Sequence, residues 1–447
     1  MSFGREFGGS GLDPLAAVVT LASSGLFDDY VVYERAGCWT FAGGTLAVIT
    51  LDAEQVYSRG PGGESSTPWS GSPTRALHSA LRDIPIEDWT AYGWFGFEFA
   101  GVIPALAFPG TEAPAGELAR VVIPRVEVRV GDGELGQGGI VARAVDPAEA
   151  ERVRELVAEL ITGDRAVPEV EPNPIDVRAG GEDYRQRVAH AVKEIRAGEY
   201  QKVILSRAVP VPFPIDVAAT YLLGRRGNTP ARSFLLQLDG LRAAGFSPEL
   251  VVSVDTDGRV TTEPLAGTRA FGRGSDPDAR ARMELESDPK EIFEHAVSVR
   301  TAQEELDAVC RPGTVTVGDF MRVRERGSVQ HLGSTVHGVL AESRTAWDAL
   351  EVLFPSVTAS GIPKPDALDA ILRLDGRRGL YSGAVFTASH DGSLEATLVL
   401  RAVYQQDGNT WLRAGAGIVA ESTPDRELEE TCEKLGSIAP FLVPADR

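Results

Sequence analysis

The sequence predicts a large mixed α+β fold, and three observations carry that expectation. Long apolar strands recur along the chain, helical segments of unequal length fall among them, and the connections are long and irregular, unlike a regular βαβ array. At 447 residues and 43% apolar content, the chain can bury one large core or two to three ordinary ones. It contains no internal repeat and no low-complexity segment.

Residues 1–172 read as a β-rich part, integral to the same fold. YVVYERAGCWTFAGGTLAVITL (30–51) alternates apolar and polar positions, RGPGGESSTPWSGSP (59–73) reads as a loop, and AYGWFGFEFA (91–100) as an aromatic-rich strand. ARVVIPRVEVRVGDGEL (119–135) suggests further strands, and DPAEAERVRELVAELITG (146–163) a charged amphipathic helix. The Pro- and acid-rich stretch 164–183 marks the main boundary, leaving 173–447 as the second part. There YRQRVAHAVKEIRAGEY (184–200) is a helix ending at a Gly198 cap, followed by the strand QKVILSRAVPV.

Composition excludes several classes. A formal charge of −20 disfavours nucleic acid or an anionic membrane as partner, and a small anionic substrate would need a cation or local Arg and Lys to overcome that field. Cys38, Cys310 and Cys432 lie far apart with no CxxC, so neither a disulfide framework nor a zinc ribbon is indicated and a cytoplasmic location fits. The N-terminus lacks the pattern of a signal peptide, and no segment reaches membrane-spanning length.

Glu-x-x-Glu occurs twice, as Glu291 and Glu294 and as Glu427 and Glu430, each soon after a proline suited to a first helical turn, Pro289 or Pro424. Residues three apart on a helix lie about 60° apart around its axis, so each pair projects two carboxylates from one face. Solvated decoration is one reading. Dipole complementation explains Glu291 and Glu427, but serves Glu294 and Glu430, a turn further in, less well. A Mg²⁺ site is the other reading, because hard divalent cations take oxygen ligands. On the second helix Leu428, Cys432 and Leu435 form the core stripe, with Glu429 and Glu433 expected in water.

Other residues admit two readings each. Lys202 opens a strand apolar on both faces: it either snorkels to water or is a buried base with a lowered pKa. Glu249, at a strand entry, is either solvent-facing or a general acid. Arg401, within the apolar TLVLRAVYQ, needs a carboxylate from substrate or from the chain itself. Gly415 and Gly417 in RAGAGIVAES could let backbone approach a ligand or form a simple turn, and GAGIVA lacks the βαβ context of a dinucleotide site. PLAGTRA and VTASGIPK are further Gly-containing loops. There is no GxxxxGK[ST], GxSxG or HExxH, and the histidines have no zinc spacing.

Together KVILSR, SPEL, EPLAGTRA, KEIFEHAVSVR, SVQHLGSTV, FPSVTASGIPK, RGLYSGAV, LRAGAGIVAES and EETCEKL resemble the chorismate-utilising enzymes, a family including anthranilate, isochorismate and salicylate synthases. The resemblance is strong from Tyr184 onward and looser before it. It implies a two-layer β-sandwich core with peripheral helices. It also implies Mg²⁺ held by Glu294 and Glu430, with Glu291 and Glu427 in an outer or water-mediated role. Arg401, Tyr381, Gly415, Gly417 and Lys434 would hold substrate carboxylates, Gly267, Thr268 and Thr358 would line the site, and His331 matches a site position of open role.

Lys202 separates the members that add water from anthranilate synthases, which lack this Lys and add ammonia. The resemblance therefore implies Lys202 as base and Glu249 as acid, converting chorismate to isochorismate. Thr268 and the overall match favour onward conversion to salicylate and pyruvate, and stopping at isochorismate is the alternative. A non-catalytic chorismate- or metal-binding regulator is the alternative of another class. A monomer without a glutaminase subunit is expected.

Overall fold

The computed structural model describes residues 3–8, 13–106, 113–131, 139–162 and 170–445. Part of the expected boundary, residues 164–169, lies outside them, as does Gly163 at the end of the expected helix. The architecture is α+β: among the described residues twenty-one strands join into one hydrogen-bonded sheet system, paired antiparallel, with helices packed against it.

Strands from both sequence halves interleave. Tyr30–Arg35 pairs with Arg232–Leu238, placing Val32 opposite Leu235, and Thr90–Phe95 pairs with Ala384–Ser389, placing Phe95 opposite Ala384. The apolar positions of these strands fill the interior. Phe95, for example, meets Phe99 and Phe386 with ring centroids 4.9 Å apart in each case.

The helices of the C-terminal half follow their local signals. The helix Gly181–Ala197 ends at Gly198, whose φ of +86° is the left-handed conformation glycine adopts without strain. Pro289–Asp307 is capped by Asp288, whose carboxylate accepts the Lys290 N–H, and Pro424–Leu435 follows Thr423. The first packs on strands Leu265–Ala270 and Val329–Val339, the second on strand Asn409–Ile418 and on Gly181–Ala197.

Several expectations are corrected. The 59–73 stretch is not simply a loop: Gly63–Pro68 forms an exposed hairpin strand with Gln55–Gly60, whose polar composition hid it. The aromatic run divides into strand Thr90–Phe95 and a 3₁₀ segment Phe97–Val102. Two helices interrupt the β-rich part, Pro14–Ala22 and Pro73–Asp83, each announced by an Asp or Ser cap and a proline. RAGAGI belongs to strand Asn409–Ile418 rather than to a turn, and LAGTRA to strand Leu265–Ala270, with a register shift at Gly267 where φ is +74°. TLVLRAVYQ is not one strand. It breaks after Leu398 and resumes at Ala402, with Arg401 in the break at φ +50°.

Candidate active site

Strand Lys202–Pro210 lies antiparallel to Asn409–Ile418, which sets Ile204 opposite Gly417 and Ser206 opposite Gly415. Lys202 is 1% exposed, so it does not snorkel. Its Nζ stands 3.0 Å from Glu294 Oε1 and donates to Ser298 Oγ at 3.2 Å. Both contacts come from helix Pro289–Asp307, which crosses over the strand's start.

Gly417 is required by that crossing. A Cβ there would come within 2.3 Å of Glu294 Oε1 and 3.4 Å of Lys202 Cε. At Gly415 it would meet the Leu205 carbonyl at 2.6 Å and the Tyr381 hydroxyl at 2.9 Å, and at Gly267 it would meet Glu291 Oε2 at 2.9 Å. These glycines make room for the site's own side chains and backbone.

Glu249 sits between strands Leu241–Ser247 and Leu250–Val254 and is buried, not solvent-facing. Its Oε1 accepts from Ser356 Oγ at 2.8 Å and from Thr358 Oγ1. Burial raises its pKa to about 7, against the opposing pull of Thr358, Ser356 and nearby Lys202. A carboxyl half-protonated near neutrality can donate a proton.

Arg401 is buried without any salt bridge to a carboxylate among the described residues. Its Nη1 donates to the Arg326 carbonyl at 2.9 Å and its Nη2 to His331 Nε2. Burial first, and the Arg326 charge second, lower its pKa to about 9. A guanidinium can only donate, so Nε2 of His331 is the unprotonated nitrogen. His331 Nδ1 then donates to the Gly267 carbonyl at 3.0 Å, with Thr268 Oγ1 3.2 Å away. Burial and the Arg401 charge push the pKa of His331 well below its usual value, so the ring is neutral.

The four glutamates are all buried, which overturns their reading as solvated decoration. Each has its own cation. Glu291 meets Arg269 at 2.7 Å, Glu294 meets Lys202 at 3.0 Å, Glu427 meets Lys290 at 3.0 Å and Glu430 meets Lys434 at 2.8 Å. Burial and then the charge of Glu430 raise Glu427 to about 7. Glu430 itself, although burial opposes it, is held down by Lys434, Lys290 and Arg426. Among the described residues no three carboxylate, His or Cys groups converge as metal ligands here. The donor set nevertheless suits a hard cation: four buried carboxylates feel one another's charge, and Glu427 Oε2 has no hydrogen-bond partner among the described residues. Glu433, expected in water, has a side chain only 12% exposed and bridges to Arg426.

One cavity gathers twelve of the fifteen expected residues; of the other three, Lys202 meets its wall at Glu294 and Glu291 lies against Gly267, whereas Glu427 is paired with Lys290 and feels the charge of the lining Glu430. Lys434 reaches it with Nζ donating to the Gly415 carbonyl at 2.9 Å. Tyr381 is buried beside it, with Arg378 and Arg413 over its ring at 5.8 and 5.5 Å. Sequence reading missed Ser356, Ser298, Arg269 and Lys290. Only Lys290 left a signal: a lysine in the first turn opposes the helix dipole, which implies a nearby carboxylate.

Fold and site define a chorismate-binding enzyme. The family model of that description matches residues 28–440, and the chain belongs to that family. It is 49% identical to the salicylate synthase of Mycolicibacterium paratuberculosis over 432 residues, 96% of this chain and 93% of that protein. Anthranilate synthase component 1 of Aquifex aeolicus is 36% identical, over 58% of this chain and 52% of that protein. Among solved structures, the menaquinone-specific isochorismate synthase of Escherichia coli superposes with a TM-score of 0.74 at 21% identity, covering 99% of this chain and 94% of that one. Anthranilate synthase component I of Streptococcus pneumoniae gives 0.73 at 22% identity, covering 91% and 93%.

Proposed function

We propose that this chain is a magnesium-dependent salicylate synthase, converting chorismate to isochorismate and then to salicylate and pyruvate. The observation that carries it is the buried Lys202 and Glu249 at a cavity lined by two buried arginines, of which Arg413 pairs with Asp375 while Arg401 has no carboxylate partner among the described residues. The 49% identity to a salicylate synthase across nearly the whole chain supports the choice of product.

In the first step Lys202 takes a proton from water as its oxygen bonds to C2 of the ring. The double bonds shift, and Glu249 protonates the departing C4 hydroxyl, so one water enters and one leaves. In the second, the C2 hydrogen passes to the enolpyruvyl methylene while the C3–O bond breaks, releasing pyruvate and leaving the aromatic ring. That step needs positioning rather than attack. Arg401, oriented by neutral His331, and Tyr381 and Lys434 hold the substrate's carboxylates. His331 is therefore a positioning residue and not an acid or base.

Glu294 and Glu430 would hold magnesium, with Glu291 and Glu427 acting through water, and the ion would neutralise substrate carboxylate charge. The split is supported by Glu294 and Glu430 lining the cavity, which the outer pair do not. Residues 173–447 supply this chemistry and 1–172 complete the sheet. We place the enzyme in the cytoplasm as a monomer without a glutaminase subunit. Among the described residues no helix is long and apolar enough to cross a membrane.

Incubation with chorismate and Mg²⁺, following salicylate, isochorismate and pyruvate by chromatography, tests the function. Equimolar salicylate and pyruvate are expected. Isochorismate that persists alone would identify an isochorismate synthase instead, and binding without turnover a regulatory relative.

A further inference from the structure

Ser382 has no part in the chemistry above, yet it lies in the wall of the same cavity. It is fully buried, and its Oγ has no hydrogen-bond partner among the described residues. Buried hydroxyls are nearly always paired, because an unpaired one forfeits the hydrogen bonds it made to water.

Its backbone is unusual as well. A φ of +63° is the left-handed conformation in which the Cβ of an L-residue crowds the chain, and glycine would be the low-strain choice. Among the described residues eight non-glycine positions have positive φ, and only Ser382 and Arg401 of these line the cavity. The two are tied together through the backbone. Ser382 N–H donates to the Val399 carbonyl at 3.0 Å, and Val399 N–H donates to the Gly383 carbonyl at 2.9 Å, two residues before Arg401.

A hydroxyl at a strained position, buried and unpaired in the lining that also holds a guanidinium without a carboxylate, is accounted for by a ligand that meets both. We propose that Ser382 is a substrate-binding residue whose hydroxyl donates a hydrogen bond to the carboxylate that Arg401 receives. This rests on chorismate being the substrate.

Two variants test it together, Ser382→Gly and Ser382→Ala, each assayed with chorismate and Mg²⁺ and each melted thermally. Glycine suits the backbone, so Ser382→Gly is expected to melt at or above the wild-type temperature. Both variants are expected to lose about 10-fold or more in kcat/KM, the scale of one hydrogen bond to a charged group. Ser382→Gly activity within about twofold of wild type would overturn the proposal, whatever Ser382→Ala does, because the hydroxyl would then be dispensable. Wild-type protein that fails to turn over chorismate would overturn the function itself, and is told apart because the failure precedes any substitution.

Discussion

Glu249 shows how one buried side chain sets a pH dependence. With its pKa at about 7 rather than the usual 4.5, it is protonated below neutrality and charged above it. As a general acid it works only while protonated, so kcat/KM is expected to fall as pH rises through about 7, read from a pH–rate profile. The stability sign follows the same shift. Between about 4.5 and 7 the native state binds more proton than the unfolded state, so this residue's contribution worsens as pH rises and then levels off. Glu249→Gln is therefore expected to lose about 100-fold or more in turnover. The same variant should melt higher than wild type at pH 8, by more than any difference at pH 5. Lys202→Ala should abolish water addition while sparing pyruvate release from supplied isochorismate, and retained turnover of chorismate would refute its role as base.

At the scale of elements, two helices each present a carboxylate pair to one space, and lysines and an arginine hold those carboxylates in place. Lys290→Met leaves Glu427 buried without its cation, a loss on the order of 3 kcal/mol or more. If the glutamates hold Mg²⁺ as proposed, the melting temperature should drop more in EDTA than in Mg²⁺, because the ion would supply the missing positive charge. Glu294→Gln and Glu430→Gln should weaken Mg²⁺ affinity, measured by calorimetry, more than Glu291→Gln and Glu427→Gln, and equal effects would refute the division into inner and outer ligands. Gly417→Ala should disarrange both Glu294 and Lys202, because its Cβ would lie 2.3 Å from the carboxylate.

Across the whole molecule, the halves cannot be separated without cutting sheet pairings. Tyr30–Arg35 and Thr90–Phe95 lie against strands from beyond residue 230. Residues 173–447 expressed alone would expose those strand edges, and are expected to aggregate or to lack a cooperative melting transition. A chain that folds and turns over chorismate without the first 172 residues would show that the catalytic part is autonomous.

The sequence by itself determined the α+β class, the helices bearing the glutamate pairs and, through the order of its motifs, the family. Local rules are enough for those: Pro289 after Asp288 and Pro424 after Thr423 start helices wherever they occur, and Gly198 ends one. Which glutamates face water is not a local property. Spacing allowed Glu294 and Glu430 to be surface decoration, and only packing against Lys202 and Lys434 made them buried partners. The break in TLVLRAVYQ was hidden for the same reason: the segment reads locally as a strand, and the turn at Arg401 is held by residues from elsewhere in the chain, Ser382 and Gly383 pairing with Val399 and Phe246 with Arg401. Tertiary structure alone decided that Arg401 meets His331 and no carboxylate of the described chain, because desolvation and charge depend on residues brought together from distant parts of the chain.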